Sequence, residues 1–341
     1  MKEQAREYTG RELLLFFLIA FGLPYLMGIP LGICQRNGWG TDAFPNAQMF
    51  YPAAGAMIAL LVTRRGKTGM TRRFYGFFLF MTLVMVACCI GAVAAPAMNW
   101  TTICSYAIVI GCIPAWIFLL TEKKQNRQAS GLCWHGGWKA LLYVLLFIVL
   151  RTVSMFLAVV PSGEMGEYLS YWATPAPWVI LVVLIPNFFF SFTAFFGEEY
   201  GWRYYLQPRL QQKFGPRLGV LVLGVLWGAW HLPLNLFYYS PETSLQSFVS
   251  QIIACVALGV FFAWAYLKTN NIWVPVLLHY FNNNLIVVYT NSSSIGNQVI
   301  PWSDVLITLV LYAVLYMPVL ASKVFTRRPK LLTGSEQPEN S

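Results

Sequence analysis

Apolar residues in this chain come in long unbroken runs. They do not alternate as in a half-buried strand, nor form the narrow stripe of a surface helix. Runs long enough to cross a hydrocarbon core of about 30 Å predict helices at 13–34, 47–63, 74–98, 102–121, 140–160, 177–200, 219–239, 246–267, 272–290 and 303–322. The expected fold is therefore all-α, a polytopic transmembrane bundle of about ten helices (eight to ten). A helix satisfies its backbone polar groups within its own segment, which lipid requires.

Composition agrees with this pattern: 57% of residues are hydrophobic and 11% charged, against roughly 25% charged in a soluble domain. Charge then orients the helices, because short cytoplasmic loops collect Lys and Arg. With the N-terminus inside, every one of the 23 basic residues except Arg36 and Arg151 falls in an inner segment, while Asp42, Glu164, Glu167, Glu242 and Asp304 fall in outer loops. Both termini are expected in the cytoplasm. The basic loops suit the plasma membrane of a bacterium, with the lipid bilayer as the principal partner. The net charge of +10 is spread over the inner loops and not gathered on one face, so no nucleic-acid partner is expected. Arg151 lies within a span and either pairs inside the bundle or marks a break in its helix.

The seven cysteines show no C-x-x-C spacing and read as small core residues. The first apolar run contains Pro24 and Pro30 and has no cleavage site after it, so it is expected to stay as a helix. His135 lies in the Gly- and Trp-rich loop 122–139 and reads as an interfacial loop residue.

Polar anomalies gather between about 187 and 284, in Glu198-Glu199-x-x-x-Arg203, Trp227-x-x-x-His231 and His279-x-x-x-Asn283. Ionisable groups in apolar segments are costly and so point to a functional site. On a helix Glu199 and Arg203 are i,i+4 with the acid first, the better orientation for an ion pair, so Glu199 is the structural partner. Glu198 points about 100° away and is left free to face a cavity as a general base. The bland alternative puts both acids in water at a helix end. Against it, the helix can continue to Pro208, about 15 Å beyond Glu198.

His231 and His279 lie roughly 18 Å and 12 Å into their helices, with Asn283 one turn beyond His279 on the same face. A carboxylate and a histidine can hold and deprotonate water, while a histidine and an amide can donate to an oxyanion. Those parts suffice for amide hydrolysis with water as nucleophile. Glu198, His231 and His279 could instead ligate one zinc ion, as two histidines and a carboxylate do in catalytic zinc sites, although no H-E-x-x-H is present. No cofactor is the preferred reading. Ser191 lacks a G-x-S-x-G elbow, and helix serines usually bond back to the i−4 carbonyl.

Gly197-Glu198-Glu199-x-Gly201-x-Arg203 with Pro208-Arg209-Leu210, then Trp227-x-x-x-His231-Leu232-Pro233, then His279-x-x-x-Asn283, resembles the three-motif pattern of the CAAX-protease and bacteriocin-processing (CPBP, or Abi) family of intramembrane peptidases. That family is related to the type II CAAX prenyl endopeptidase. The resemblance covers about 180–290 and implies an intramembrane endopeptidase acting on a peptide or membrane-protein substrate. It implies that Glu198 activates water with help from His231, that His279 and Asn283 form the oxyanion hole, and that Glu199 and Arg203 brace the helix. Members are often labelled metalloproteases, whereas structural relatives suggest a metal-independent, glutamate-dependent mechanism. Roles in bacteriocin processing, self-immunity or CAAX processing are all compatible with it. This chain departs from the pattern at Tyr204, where Gly is common, and at Trp227, where Phe is common.

The chain thus divides into a cytoplasmic lead (1–12), a scaffold of about five helices (13–175), a catalytic core (176–292), a last helix with a basic flank (293–328) and a disordered tail (329–341). The alternatives to an enzyme are a non-catalytic scaffold or immunity protein that binds a peptide or a sensor kinase, and a proton or solute transporter; the absence of an internal repeat argues against the latter. No motif specifies an oligomeric state.

Overall fold

The computed structural model describes residues 10–63, 69–290 and 295–326. Most of the expected lead, the expected tail, and Lys2, Arg6, Arg64, Arg65, Lys67, Arg327, Arg328 and Lys330 lie outside the described residues. Each of the ten expected runs is helical, and no strand occurs among the described residues. They are α1 (Gly10–Arg36), α2 (Tyr51–Thr63), α3 (Arg72–Ala94), α4 (Trp100–Thr121), α5 (Lys139–Val159), α6 (Ala176–Phe214), α7 (Pro216–Tyr239), α8 (Ser244–Thr269), α9 (Trp273–Thr290) and α10 (Trp302–Leu315). Seven of these, all but α2, α9 and α10, are long and apolar enough to cross a membrane. Large apolar side chains such as Leu83, Leu120, Val182 and Ile185 point out of the bundle, where lipid replaces water.

The expected stop of α6 at Pro208 does not occur. The helix runs on to Phe214 because Tyr200–Leu206 widens into a π-helix, after which Pro208 falls in the first turn of a new α segment. There its missing N–H has no bond to break. A second π segment, Asn235–Tyr239, follows Pro233 at the end of α7. Widened turns of this kind are frequent at functional sites.

Two close approaches set the core. A Cβ at Gly197 would meet the Met49 carbonyl oxygen at 2.3 Å, and one at Gly201 would meet Pro52 at 2.3 Å, so α6 presses backbone-close on the start of α2. Gly224 and Gly228 do the same for α7 against Val256 and Ile252 of α8. Small residues one turn apart are how membrane helices gain van der Waals contact, since lipid offers no hydrophobic force between them. Between α1 and α6, Arg209 forms a buried ion pair with Glu12. The cysteines are free, and all but the partly exposed Cys133 are buried, in line with a packing role.

Candidate active site

The three motifs meet inside the bundle. Glu198 and Glu199 end the α-helical part of α6, and both are buried, with exposures of 2% and 0%. The reading of these acids as water-exposed interface charges is therefore overturned. Trp227 of α7 donates its indole N–H to Glu198 Oε2 at 2.7 Å, and Trp202, one turn along α6, donates to the same oxygen at 3.3 Å. Oε1 is left facing His279 of α9, whose Nε2 lies 3.9 Å away. That gap is too long for a hydrogen bond. A water oxygen seated beside the pair can nevertheless lie about 2.8 Å from both atoms.

Glu199 does more than the predicted pairing. Its Oε2 lies 3.1 Å from Arg203 Nε, forming the expected i,i+4 ion pair, while its Oε1 accepts the Nδ1 proton of His279 at 2.8 Å. A carboxylate can only accept, so this contact assigns the proton to Nδ1 and aims Nε2 at Glu198. The Arg203 guanidinium is fully buried and sits over the rings of Trp227 (4.9 Å) and Phe262 (5.5 Å). One carboxylate thus links the brace of α6 to the imidazole of α9.

His231 sits where the α-helical part of α7 ends before Leu232-Pro233. Its Nδ1 lies 2.9 Å from the Trp227 carbonyl oxygen, an acceptor, so this nitrogen carries a proton as well. Neutral His231 then presents a bare Nε2. The Trp227 ring touches both imidazoles, with centroids 6.2 Å from His231 and 5.5 Å from His279. Of the two histidines, His279 is the one recorded within ion-pair reach of Glu198.

Asn283 differs from its neighbours. It is exposed, and its amide oxygen accepts from Asn282 at 3.0 Å. Ser191 donates back to the Asn187 carbonyl at 2.9 Å, so its hydroxyl is spent inside its own helix. Among the described residues, no group of three His, Cys, Asp or Glu side chains is gathered as a metal ion would need. His279 Nδ1 is bonded to Glu199 and His231 Nδ1 to a carbonyl, which leaves the Nε2 of each ring open.

Residues 174–285 match the family model described as Type II CAAX prenyl endopeptidase Rce1-like. The chain is related to the CAAX proteases. Glu198, Glu199, Arg203, His231, His279 and Asn283 all fall inside this matched segment. A curated relative, CAAX prenyl protease 2 of Methanococcus maripaludis, is 23% identical over 146 residues, 41% of this chain and 54% of the relative. The chain thus spans about half the length of that relative.

Two contributors to the candidate site escaped the sequence reading, Trp202 and Trp227 as indole donors to Glu198. One signal was present. Trp202 is four residues after Glu198, the spacing that stacks side chains on one helix face. Nothing in the sequence pairs Trp227 with Glu198, because that contact crosses from α7 to α6.

Proposed function

We propose that this chain is a CAAX-type intramembrane endopeptidase that uses Glu198 as general base. The observation that carries the proposal is the asymmetry of the Glu198 carboxylate. One oxygen is pinned by two indole donors, and the other opens toward His279. A water held at Oε1 gives its proton to Glu198, and the bare Nε2 of His231 supplies a second acceptor nearby. The water oxygen attacks the scissile carbonyl carbon. In its imidazolium form His279 keeps Nδ1–H on Glu199 and donates Nε2–H to the developing oxyanion, and Asn283, free to leave Asn282, donates beside it. Collapse of the tetrahedral intermediate breaks the C–N bond, and the amine leaves with the proton held by Glu198.

The substrate class is a peptide or membrane-protein segment presented at the bilayer. A C-terminal CAAX-type tail is favoured by the relative's name, which describes that protein's activity. No step in this scheme needs a metal.

The test is cleavage of a peptide library by purified wild type and Glu198→Gln, each after extensive chelation. The expected result is cleavage by the chelated wild type and none by the variant. Activity lost on chelation and restored by zinc overturns the scheme in favour of metal ligation by Glu198, His231 and His279. No cleavage by folded wild type favours a binding-only scaffold.

A further inference from the structure

Arg151 lies near the middle of α5 and is buried, with 6% exposure. The lipid-facing side of α5 is carried by Leu145, Val149, Val153 and Phe156. Arg151 instead points into the bundle, donating from Nη1 to the Tyr312 hydroxyl near the end of α10 at 2.6 Å. Among the described residues no carboxylate forms an ion pair with it, and its Nε is buried without a hydrogen-bond partner. A buried cation lacking a counter-charge is costly, and intramembrane cations mark ligand sites for that reason.

The surroundings of Arg151 offer protons and no negative charge. Tyr312 accepts from Arg151 and keeps its own phenolic proton to give. The Tyr316 hydroxyl is buried without a hydrogen-bond partner, and its ring packs against that of Tyr312 with centroids 5.2 Å apart. Thr152 gives its proton to the Ile148 carbonyl, so the 2.5 Å contact between Thr152 and Tyr289 uses the Tyr289 proton. What remains around Arg151 is a guanidinium edge and two phenolic donors. That set accepts an anion, and a planar carboxylate matches a guanidinium best.

The cluster also stands at a definite distance from the candidate active site. Thr152 meets Tyr289 of α9, ten residues after His279, which is about 15 Å along the helix. Asn282 lies seven residues before Tyr289, close to the same face of α9, and its amide oxygen is buried without a partner. An extended peptide advances roughly 3.3–3.6 Å per residue, and an arginine reaches several ångströms from its backbone. A tail of about three to five residues therefore spans from the scissile bond to the Arg151 cluster.

We propose that Arg151, with Tyr312 and Tyr316, forms an anion site that receives the free C-terminal carboxylate of the substrate peptide. The proposal rests on the peptidase reading for its substrate class. It makes the chain an enzyme that measures its cut from the end of its substrate, accepting an apolar tail whose only charge is met inside the bundle. Lipid headgroups are disfavoured as the anion because Arg151 faces α9 and α10, away from the lipid-facing side of α5.

The experiment uses the full chain carrying Glu198→Gln in lipid nanodiscs, so that binding is read without turnover. Peptides with a three-residue apolar tail are compared as free acids and as C-terminal amides. The acid is expected to bind about tenfold or more tightly than the amide, as a charged hydrogen-bonded contact implies. Arg151→Gln should lower acid binding to the amide value and leave amide binding unchanged. Arg151→Met, an apolar replacement of similar length, repeats the measurement if the glutamine variant does not fold.

Equal binding of acid and amide before Arg151 is changed overturns the proposal, as does a preference that survives either substitution. Lengthening the tail to ten residues should abolish the preference, and an unaltered preference also counts against it. Wild-type cleavage of the same peptides separates the two readings. Acid-selective binding without cleavage sinks the peptidase and leaves the anion site, whereas cleavage indifferent to the terminus does the reverse.

Discussion

Glu199 and His279, 80 residues apart in the chain, meet at 2.8 Å through Oε1 and Nδ1. The same carboxylate holds Arg203 through its other oxygen at 3.1 Å. An ion pair internal to α6 is thereby joined to α9, and the imidazole of α9 is oriented toward Glu198. Bracing and orientation are consequently properties of one residue, and a substitution there should expose both.

Glu199→Gln should do so. It leaves the fully buried Arg203 without its counter-charge, which costs about 3–5 kcal/mol in comparable buried pairs. The expected result is a marked fall in Tm in detergent and loss of peptide cleavage. Adding Arg203→Met should recover much of the Tm and none of the activity, because a neutral amide at 199 no longer supports the imidazolium form of His279. Recovery of activity in the double variant would show that the charge of Glu199 is not needed by His279.

Glu198→Gln is nearly isosteric and keeps an oxygen for the Trp227 and Trp202 donors. Cleavage should drop by about 10²–10⁴-fold, the range for removal of a general base, with thermal stability close to wild type. A thermal melt alongside single-turnover cleavage checks this.

Trp227→Phe tests the indole donor. The ring that packs between His231 and His279 is largely kept, while the 2.7 Å bond to Glu198 is lost. The expected outcome is a decrease in kcat of about tenfold, the size of one hydrogen bond to a charged group, with KM unchanged. An effect confined to KM would assign Trp227 to substrate binding instead.

Gly201→Ala places a methyl group 2.3 Å from Pro52. Overpacking of this kind costs about 1–3 kcal/mol, so α6 should shift from α2 and stability should fall. Ser191→Ala is the contrasting case. Its hydroxyl is spent on the Asn187 carbonyl, and cleavage by the variant should match wild type.

The all-helical bundle and the positions of its apolar helices were legible in the sequence because an apolar run of sufficient length has one stable form in lipid, although seven of the ten expected spans are long and apolar enough to cross a membrane. The Glu199–Arg203 pair was legible as well, since its i,i+4 spacing lies within one helix and is fixed by helical periodicity alone. The continuation of α6 through Pro208 was not. It depends on the π segment Tyr200–Leu206, which rests on contacts that α6 makes with its neighbours.

The sequence placed Glu198, His231 and His279 at comparable depth in three helices, because depth follows from residue count and a rise of about 1.5 Å. Rotation and distance between helices are not encoded in that count. Small-residue contacts such as Gly201 on Pro52 and Gly228 on Ile252 set them, and they act only once the bundle has packed. Thus only the tertiary structure decided that His279, and not His231, lies within ion-pair reach of Glu198, that two indoles hold one Glu198 oxygen, and that Arg151 turns inward to Tyr312. Each of these contacts but one, the Trp202 bond within α6, joins residues on different helices, where side-chain packing and not periodicity determines which groups meet.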